Sequence, residues 1–418
     1  MSLQICSFPQ AACLAALVAT VWSYEPAQAA SQPAAVTSAS PETRPPNNKA
    51  FSPAFKGQTR APGIKTSFKL DVTTVAQGLS NPWAFEFLPD GRVLLSERSG
   101  QLRIVDSSGK LSQPLQGLPS VQFEGQGGLL DVALDPQFEK NRTIYWSYSE
   151  PRQDGNGTAL AKGTLVEDAK GARVDGVKVI FRQMPSLKSN LHFGSRIVFT
   201  PDGKQLYLTL GERSIPAGRV QAQDLNSHLG KIIRINLDGS VPGDNPFVGR
   251  SGAKPEIWSY GHRNVQAATL DARGRLWSIE HGPRGGDELN RPEAGKNYGW
   301  PVIGYGIDYS GEKMHDISAK EGMEQPVYYW DPVIAPSGMI FYSGKLAPEW
   351  KGNVFVGGLG SMKLVRLQLE ADKVVGEEWL LEGRLFRIRD VKEAVDGSIY
   401  VLSDGGTPSL VRIAPQAR

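Results

Sequence analysis

The chain has 418 residues, 46 Lys+Arg against 43 Asp+Glu, and a formal charge of +3. So even a balance argues against non-specific nucleic-acid binding, which needs a concentrated basic patch; 40% hydrophobic and 21% charged residues exclude a disordered chain. With 46 glycines and 29 prolines there is little room for long helices, which excludes a helical bundle and a multi-span membrane protein and favours short strands joined by turns.

The first segment, 1–29, reads as a signal peptide. An apolar run from Ala11 to Trp22 precedes Ala27-Gln28-Ala29, a small-x-small cleavage pattern. At about twelve residues the run is short for a bilayer span, so stable membrane insertion is not expected. The expected location is periplasmic or secreted. Cys6 and Cys13 are the only cysteines, both within this segment. Cleavage would leave a chain with no disulfide, no thiol chemistry and no thiolate zinc site. Residues 30–66 are rich in Ala, Pro, Ser and Thr without a period of 2 or 3.6, and read as a flexible linker. The folded body is expected over 67–418.

A weak repeat organises that body. Turn residues followed by a β-rich run recur around Gly91, Asn141, Gly203, Gly274, Gly352 and Gly397. Asp-Gly suits the positive torsions of a tight hairpin, where a Cβ would clash. Six such units with uneven insertions predict an all-β fold, a six-bladed β-propeller of four-stranded antiparallel blades. A β-sandwich with coincidental turns is the alternative. Loops at one end of a propeller channel are free to carry chemistry, and the middle units have the longest insertions.

The densest polar cluster lies there. Tyr260-Gly-His-Arg-Asn-Val-Gln precedes Glu280-His-Gly-Pro-Arg-Gly-Gly-Asp-Glu, and Asn297-Tyr-Gly-Trp-Pro follows. Gly282, Pro283, Gly285 and Gly286 impose an irregular backbone whose carbonyls, beside Asp287 and Glu288, suit a hard cation such as Ca2+. A charged loop with a structural Asp cap fits the same residues. Near the C-terminus, alternation places Arg387 and Arg389 on one strand face. They repel unless an anionic ligand, or an acidic residue of a neighbouring blade, sits between them.

Gln126 in EGQGGLLDVALDP, His192 in LHFGSRIVF, Arg263-Asn264 in GHRN, HGPRGGDE, NYGWP, Lys363 and Arg387-Ile-Arg-Asp390 occur in this order. Together they resemble the soluble, periplasmic glucose and aldose sugar dehydrogenases, six-bladed propellers that use pyrroloquinoline quinone (PQQ) and calcium. The resemblance spans roughly Leu79 to Pro415 and is nearer the broad aldose branch than the glucose-specific enzyme.

The resemblance implies oxidation of aldoses at C1 to lactones. It makes His192 the general base and Arg263 the stabiliser of negative oxygen on the reduced quinone. Lys363, Arg387 and Arg389 match positions that bind the tricarboxylate cofactor, and Gln126, Arg263 and Asn264 match further cofactor contacts. The carbonyls of Gly282 and Pro283 match active-site calcium ligands. Glu288 and Tyr298 match a second calcium site, completed by the carbonyls of Gly304 and Gly306 and the carboxylate of Asp308. The chain departs from the glucose enzyme at Leu191, where that enzyme has an acid, and at His281, where it has a glutamine. Leu191 means that another partner must orient the base.

A small-molecule aldose is the expected partner. The electron acceptor, the physiological sugar and a choice between monomer and dimer are left open. Two other functions remain: a calcium-dependent propeller lactonase, which needs carboxylates and Asn around a central ion, and a non-catalytic sugar-binding propeller. No strand-GxGxxG-helix unit is present for a nicotinamide cofactor.

Overall fold

Each of the six repeat units folds into one antiparallel blade. Their first strands are Pro82–Phe87, Leu129–Leu134, Ile197–Phe199, Val265–Leu270, Pro336–Phe341 and Ile388–Glu393, defining blades 1 to 6 in chain order. The computed structural model describes residues 1, 2, 4, 35, 36, 39–169 and 171–416, so the expected signal peptide falls almost wholly outside the described residues. Pro33–Arg418 forms one compact unit, and among the described residues no helix is long and apolar enough to cross a membrane.

Blades 2 to 5 contain four consecutive strands each, paired in sequence order. Blade 6 closes the ring: its fourth strand is Leu70–Gln77 from the start of the body, paired with Ser409–Pro415 near the end. Blade 1 departs from four strands. Its sheet has three, and the outer position is taken by an irregular run that bridges at Val105–Leu111 and bonds from Ser112 and Leu115 to Ile104 and Leu102.

The repeat markers all fall between the first and second strands of a blade. Gly91 (φ 84°) and Gly203 (φ 66°) occupy tight turns that a Cβ would strain. Asn141 differs, ending a short helix, Phe138–Asn141. These connections lie at one end of the propeller. The other end collects the segments that enter first strands and leave second strands.

Blades are held face to face by apolar burial and by hydroxyl staples. Trp146, Trp277 and Trp350 are almost fully buried between sheets, each contributing about 3 kcal/mol of transfer free energy. Ser96 donates to Leu130 O at 2.5 Å, Ser147 to Ser195 O at 2.7 Å and Thr209 to Val265 O at 2.9 Å, each crossing to the next blade. On the channel axis Arg196 spans Asp131 at 2.8 Å and Asp390 at 3.2 Å, beneath the face of Trp83. This buried ion triplet ties the first strands of blades 2, 3 and 6 together.

The segment read as a flexible linker departs from that expectation over its second half. Gln58 and Ala61 are buried; Gln58 donates to Pro326 O at 2.9 Å, and Thr66 binds Glu378 through its N–H and hydroxyl. These side-chain-to-backbone ties carry no hydrophobic period, so composition alone reads the segment as unstructured.

Candidate active site

A cavity of about 430 Å³ opens where the channel meets the loop-bearing end, with Trp83, Gln126, Phe193, Gln266 and His281 in its wall. Arg98, Arg387 and Arg389 line it together with one carboxylate, Asp404. Arg389 reaches Asp404 at 3.0 Å and Arg387 reaches it at 3.5 Å, while Arg98 donates to Gly125 O at 2.5 Å. Three guanidinium groups against one carboxylate leave net positive charge. Burial pulls Arg389 down to about 10, and it stays charged at neutral pH. The acid between the two arginines belongs to their own blade, and it is shared, so the pocket keeps capacity for an anionic ligand.

His192 stands behind Phe193 and Gly194 in the loop entering blade 3 and is 5% exposed. Its backbone N–H donates to Gln126 Oε1 at 2.8 Å. Nδ1 lies 3.0 Å from Glu212 Oε1. A carboxylate accepts, so Nδ1 carries the proton and Nε2 carries the lone pair. Glu212 is fixed in turn by the Ser214 N–H at 2.6 Å. Burial and the Arg263 charge push the imidazole down to about 4, against the pull of Glu212. The ring is therefore neutral at physiological pH.

Arg213 secures the same loop. Its guanidinium stacks 3.9 Å from the Phe193 ring centroid and donates to Leu191 O, Asn156 and Ser189 O. His192, Ser195, Arg213 and Ser214 all have positive φ, a concentration of costly backbone at one spot.

Asn264 is fully buried, with Oδ1 accepting from the Gly194 N–H at 3.1 Å and from Gln266 at 3.2 Å. Its Nδ2, and Nε of Arg263, are buried without a partner among the described residues. Arg263 donates to His281 O at 3.0 Å and lies over Trp300. His281 donates from Nε2 to Pro336 O at 2.6 Å and is held neutral by burial.

A second, small cavity of about 10 Å³ adjoins, lined by Gly282, Pro283, Glu288, Tyr298, Gly304 and others including Glu280. The carbonyls of Gly282 and Pro283 accept no hydrogen bond among the described residues. Burial and the neighbouring charge of Glu280 push the Glu288 carboxyl well above its ordinary value. Bare carbonyls and crowded buried carboxylates form a donor set that a hard cation would stabilise. Asp287 has the capping role: it accepts from the N–H groups of Gly282, Ile334 and Ala335.

Five residues singled out from the sequence are absent from both linings: His192 and Asn264 bond to the residues of the larger cavity's wall, and Lys363, Gly306 and Asp308 stand apart. Lys363 pairs with Glu382 at 2.9 Å and lies over Trp379, outside the larger cavity's wall. The Gly306 carbonyl accepts from Asn48 at 3.4 Å. The Asp308 carboxylate accepts from the Ser310 N–H at 3.0 Å in an exposed turn. Glu212, Arg98 and Asp404, conversely, are marked by no motif; each stands within two residues of the end of a second strand.

A family profile described as Glucose / Sorbosone dehydrogenase matches residues 79–412. The chain is 44% identical over 353 residues to Aldose sugar dehydrogenase YliI of Escherichia coli (strain K12), covering 83% of this chain and 93% of that protein. It is 29% identical over 328 residues to Quinoprotein glucose dehydrogenase B of Acinetobacter calcoaceticus, covering 72% of this chain and 66% of that one. Among solved structures, the PQQ-bound form of Aldose Sugar Dehydrogenase from Streptomyces coelicolor superimposes with a TM-score of 0.67 at 29% identity, covering 84% of this chain and all of that one.

Proposed function

This chain belongs to the glucose/sorbosone dehydrogenase family, and we propose that it is a quinoprotein that oxidises aldoses at C1 to lactones using PQQ and calcium. The observation that carries this reading is the adjacency of a neutral, carboxylate-held histidine to a cavity lined by three guanidinium groups. A tricarboxylate fits that wall, and the unpartnered Nδ2 of Asn264 is a donor in reserve.

Arg98, Arg387 and Arg389 would hold the carboxylates, with Gln126 and Asn264 as neutral contacts. Lys363 would join them by releasing Glu382. Gly282 and Pro283 would present carbonyls to the active-site calcium. Glu288, Tyr298 and Gly304 are the core of the second site, with Gly306 and Asp308 joining only if their loop turns inward. When bound, PQQ supplies a two-electron acceptor for the C1 hydride, and calcium supplies a Lewis acid.

The chain's own part is proton handling and charge placement. His192 Nε2 takes the proton of the anomeric hydroxyl as the C1 hydride departs, so the sugar loses two electrons and two hydrogens. Glu212 holds the ring in the required tautomer and stabilises the imidazolium that forms. Arg263 disfavours that imidazolium beforehand, keeping the base free, and offers positive charge where negative oxygen develops.

The lactonase alternative requires carboxylates and Asn around a central ion. Such an enzyme has no use for three converging arginines. The discriminating assay is aldose-dependent reduction of an artificial electron acceptor by purified protein, with PQQ and Ca2+ added singly and together. Activity only with both supports the reading; lactone hydrolysis without PQQ overturns it.

A further inference from the structure

Residues 47–66 lie outside the 79–412 span of the family match, yet Asn47 and Asn48 bond to the loops around the small cavity and Gln58 to Tyr305 in its lining. Asp331 is the meeting point. One carboxylate oxygen accepts from the Asn47 N–H at 2.9 Å and the Asn47 side-chain amide at 2.7 Å; the other accepts from the Asn48 N–H at 2.9 Å. Arg60 donates to the Asp331 carbonyl at 2.7 Å.

The same carboxylate is seated against the glycine loop. A Cβ placed on Gly285 would fall 2.6 Å from Asp331 Oδ1, and one on Gly286 would fall 2.7 Å from Gly306 N. No side chain other than glycine's fits between Asp331 and this loop. The segment also touches both cavity loops itself: Asn47 Oδ1 accepts from Arg284 Nε at 3.2 Å, and Asn48 donates to Gly306 O.

The loop from Gly282 to Asp287 contains three glycines, so its unclamped backbone has high conformational entropy. Asp287 fixes it from within through the three N–H groups it accepts. Asp331 backs it from outside. Asp331 is 4% exposed, and a buried carboxylate needs its donors. Here the backbone N–H groups of Asn47 and Asn48 and the Asn47 side-chain amide provide them. Without them the carboxylate must rehydrate, which draws it off Gly285 and frees the loop.

We propose that Asn47 and Asn48 are positioning residues for the cation loop: by binding Asp331 they hold the Gly282 and Pro283 carbonyls in ligating geometry. The proposal rests on the calcium reading above. It makes the segment before the propeller an intramolecular strap that tunes metal affinity. Outer partners of this kind typically alter metal affinity about 10- to 100-fold.

The test is calorimetric titration of Ca2+ into protein stripped of PQQ and metal, comparing wild type, Asp331→Ala, which removes the acceptor of all three strap bonds, Asn47→Ala/Asn48→Ala, which removes the side-chain amides but keeps both N–H donors, and Thr66→Ala. Thr66 ties the strap to Glu378 at its far end, so its substitution is a control for general loosening. Asp331→Ala is expected to bind Ca2+ about 10-fold more weakly or worse, and the double variant to lose affinity by a smaller factor, with PQQ affinity measured without added calcium unchanged in both. Thr66→Ala lowers Tm but leaves Ca2+ affinity at the wild-type value. Asn47→Ala alone gives an intermediate loss and serves if the double variant does not fold. Equal Ca2+ affinity in wild type and the Asn variants overturns the proposal, as does an equal loss in Thr66→Ala. Absence of Ca2+ binding in wild type overturns the calcium reading itself, a distinct result.

Discussion

His192 Nδ1 and Glu212 Oε1 lie 3.0 Å apart, joining the loop that enters blade 3 to the segment that leaves its second strand. This contact decides which ring nitrogen is free to accept a proton. It also provides the orienting partner that Leu191 cannot, and it does so from the opposite side of the blade's first hairpin. In Glu212→Ala, kcat is expected to fall about 100-fold or more, with PQQ affinity unchanged. Steady-state kinetics with a parallel cofactor titration checks the split; an unchanged kcat would remove Glu212 from the proton path.

The pH dependence follows from the same environment. Burial and Arg263 hold His192 at about 4, so the base is neutral above that pH and is lost as pH falls through it. The profile of kcat/KM is expected to be flat from mildly acidic to neutral pH, with an acid limb near 4. Arg263→Ala removes a cation that disfavours protonation, so the limb moves to higher pH while the maximal rate drops.

Arg387 and Arg389 share Asp404, which makes two variants diverge in sign. Arg387→Ala/Arg389→Ala removes two charge-assisted contacts, each worth about 1.5–3 kcal/mol, and weakens PQQ binding at least about 100-fold. Asp404→Asn removes the competing anion and tightens it. Fluorescence titration of the three proteins at fixed ionic strength reads both. Weaker binding in Asp404→Asn would make the carboxylate a positioning group for the guanidiniums instead.

Lys363 tests how far the cavity wall reorganises. It is paired with Glu382 on a half-exposed face, so reaching the cofactor requires breaking a weak surface bond. Lys363→Ala is expected to weaken PQQ binding by less than the Arg pair, about 10-fold. No change at all would leave it outside the site.

What the sequence made legible follows from where each end of the propeller gets its constraint. Gly91, Gly203, Gly274 and Gly397 mark the inner hairpins because a tight turn there demands positive φ, and they sit at the end away from the chemistry. The functional end has no shared backbone demand, so His192, Arg263 and Arg387 stand out only as an ordered set of motifs. Glu212 and Asp404 were invisible because each is a single acid after a strand, meaningful only once the blade folds its partner beside it. The Asn47–Asp331 contact joins residues 284 apart in sequence, a relation that no local period records.

The three-arginine cavity is expected to hold a redox cofactor that the His192–Glu212 pair serves. The most direct measurement is stoichiometric: PQQ is titrated into the calcium-loaded apoprotein, an aldose is added without an external acceptor, and the absorbance of bound cofactor is followed in wild type and His192→Ala. Saturable one-to-one binding in both proteins is predicted, with sugar-dependent cofactor reduction in wild type and its loss in His192→Ala. Absence of saturable PQQ binding, or equal reduction in the two proteins, would contradict it.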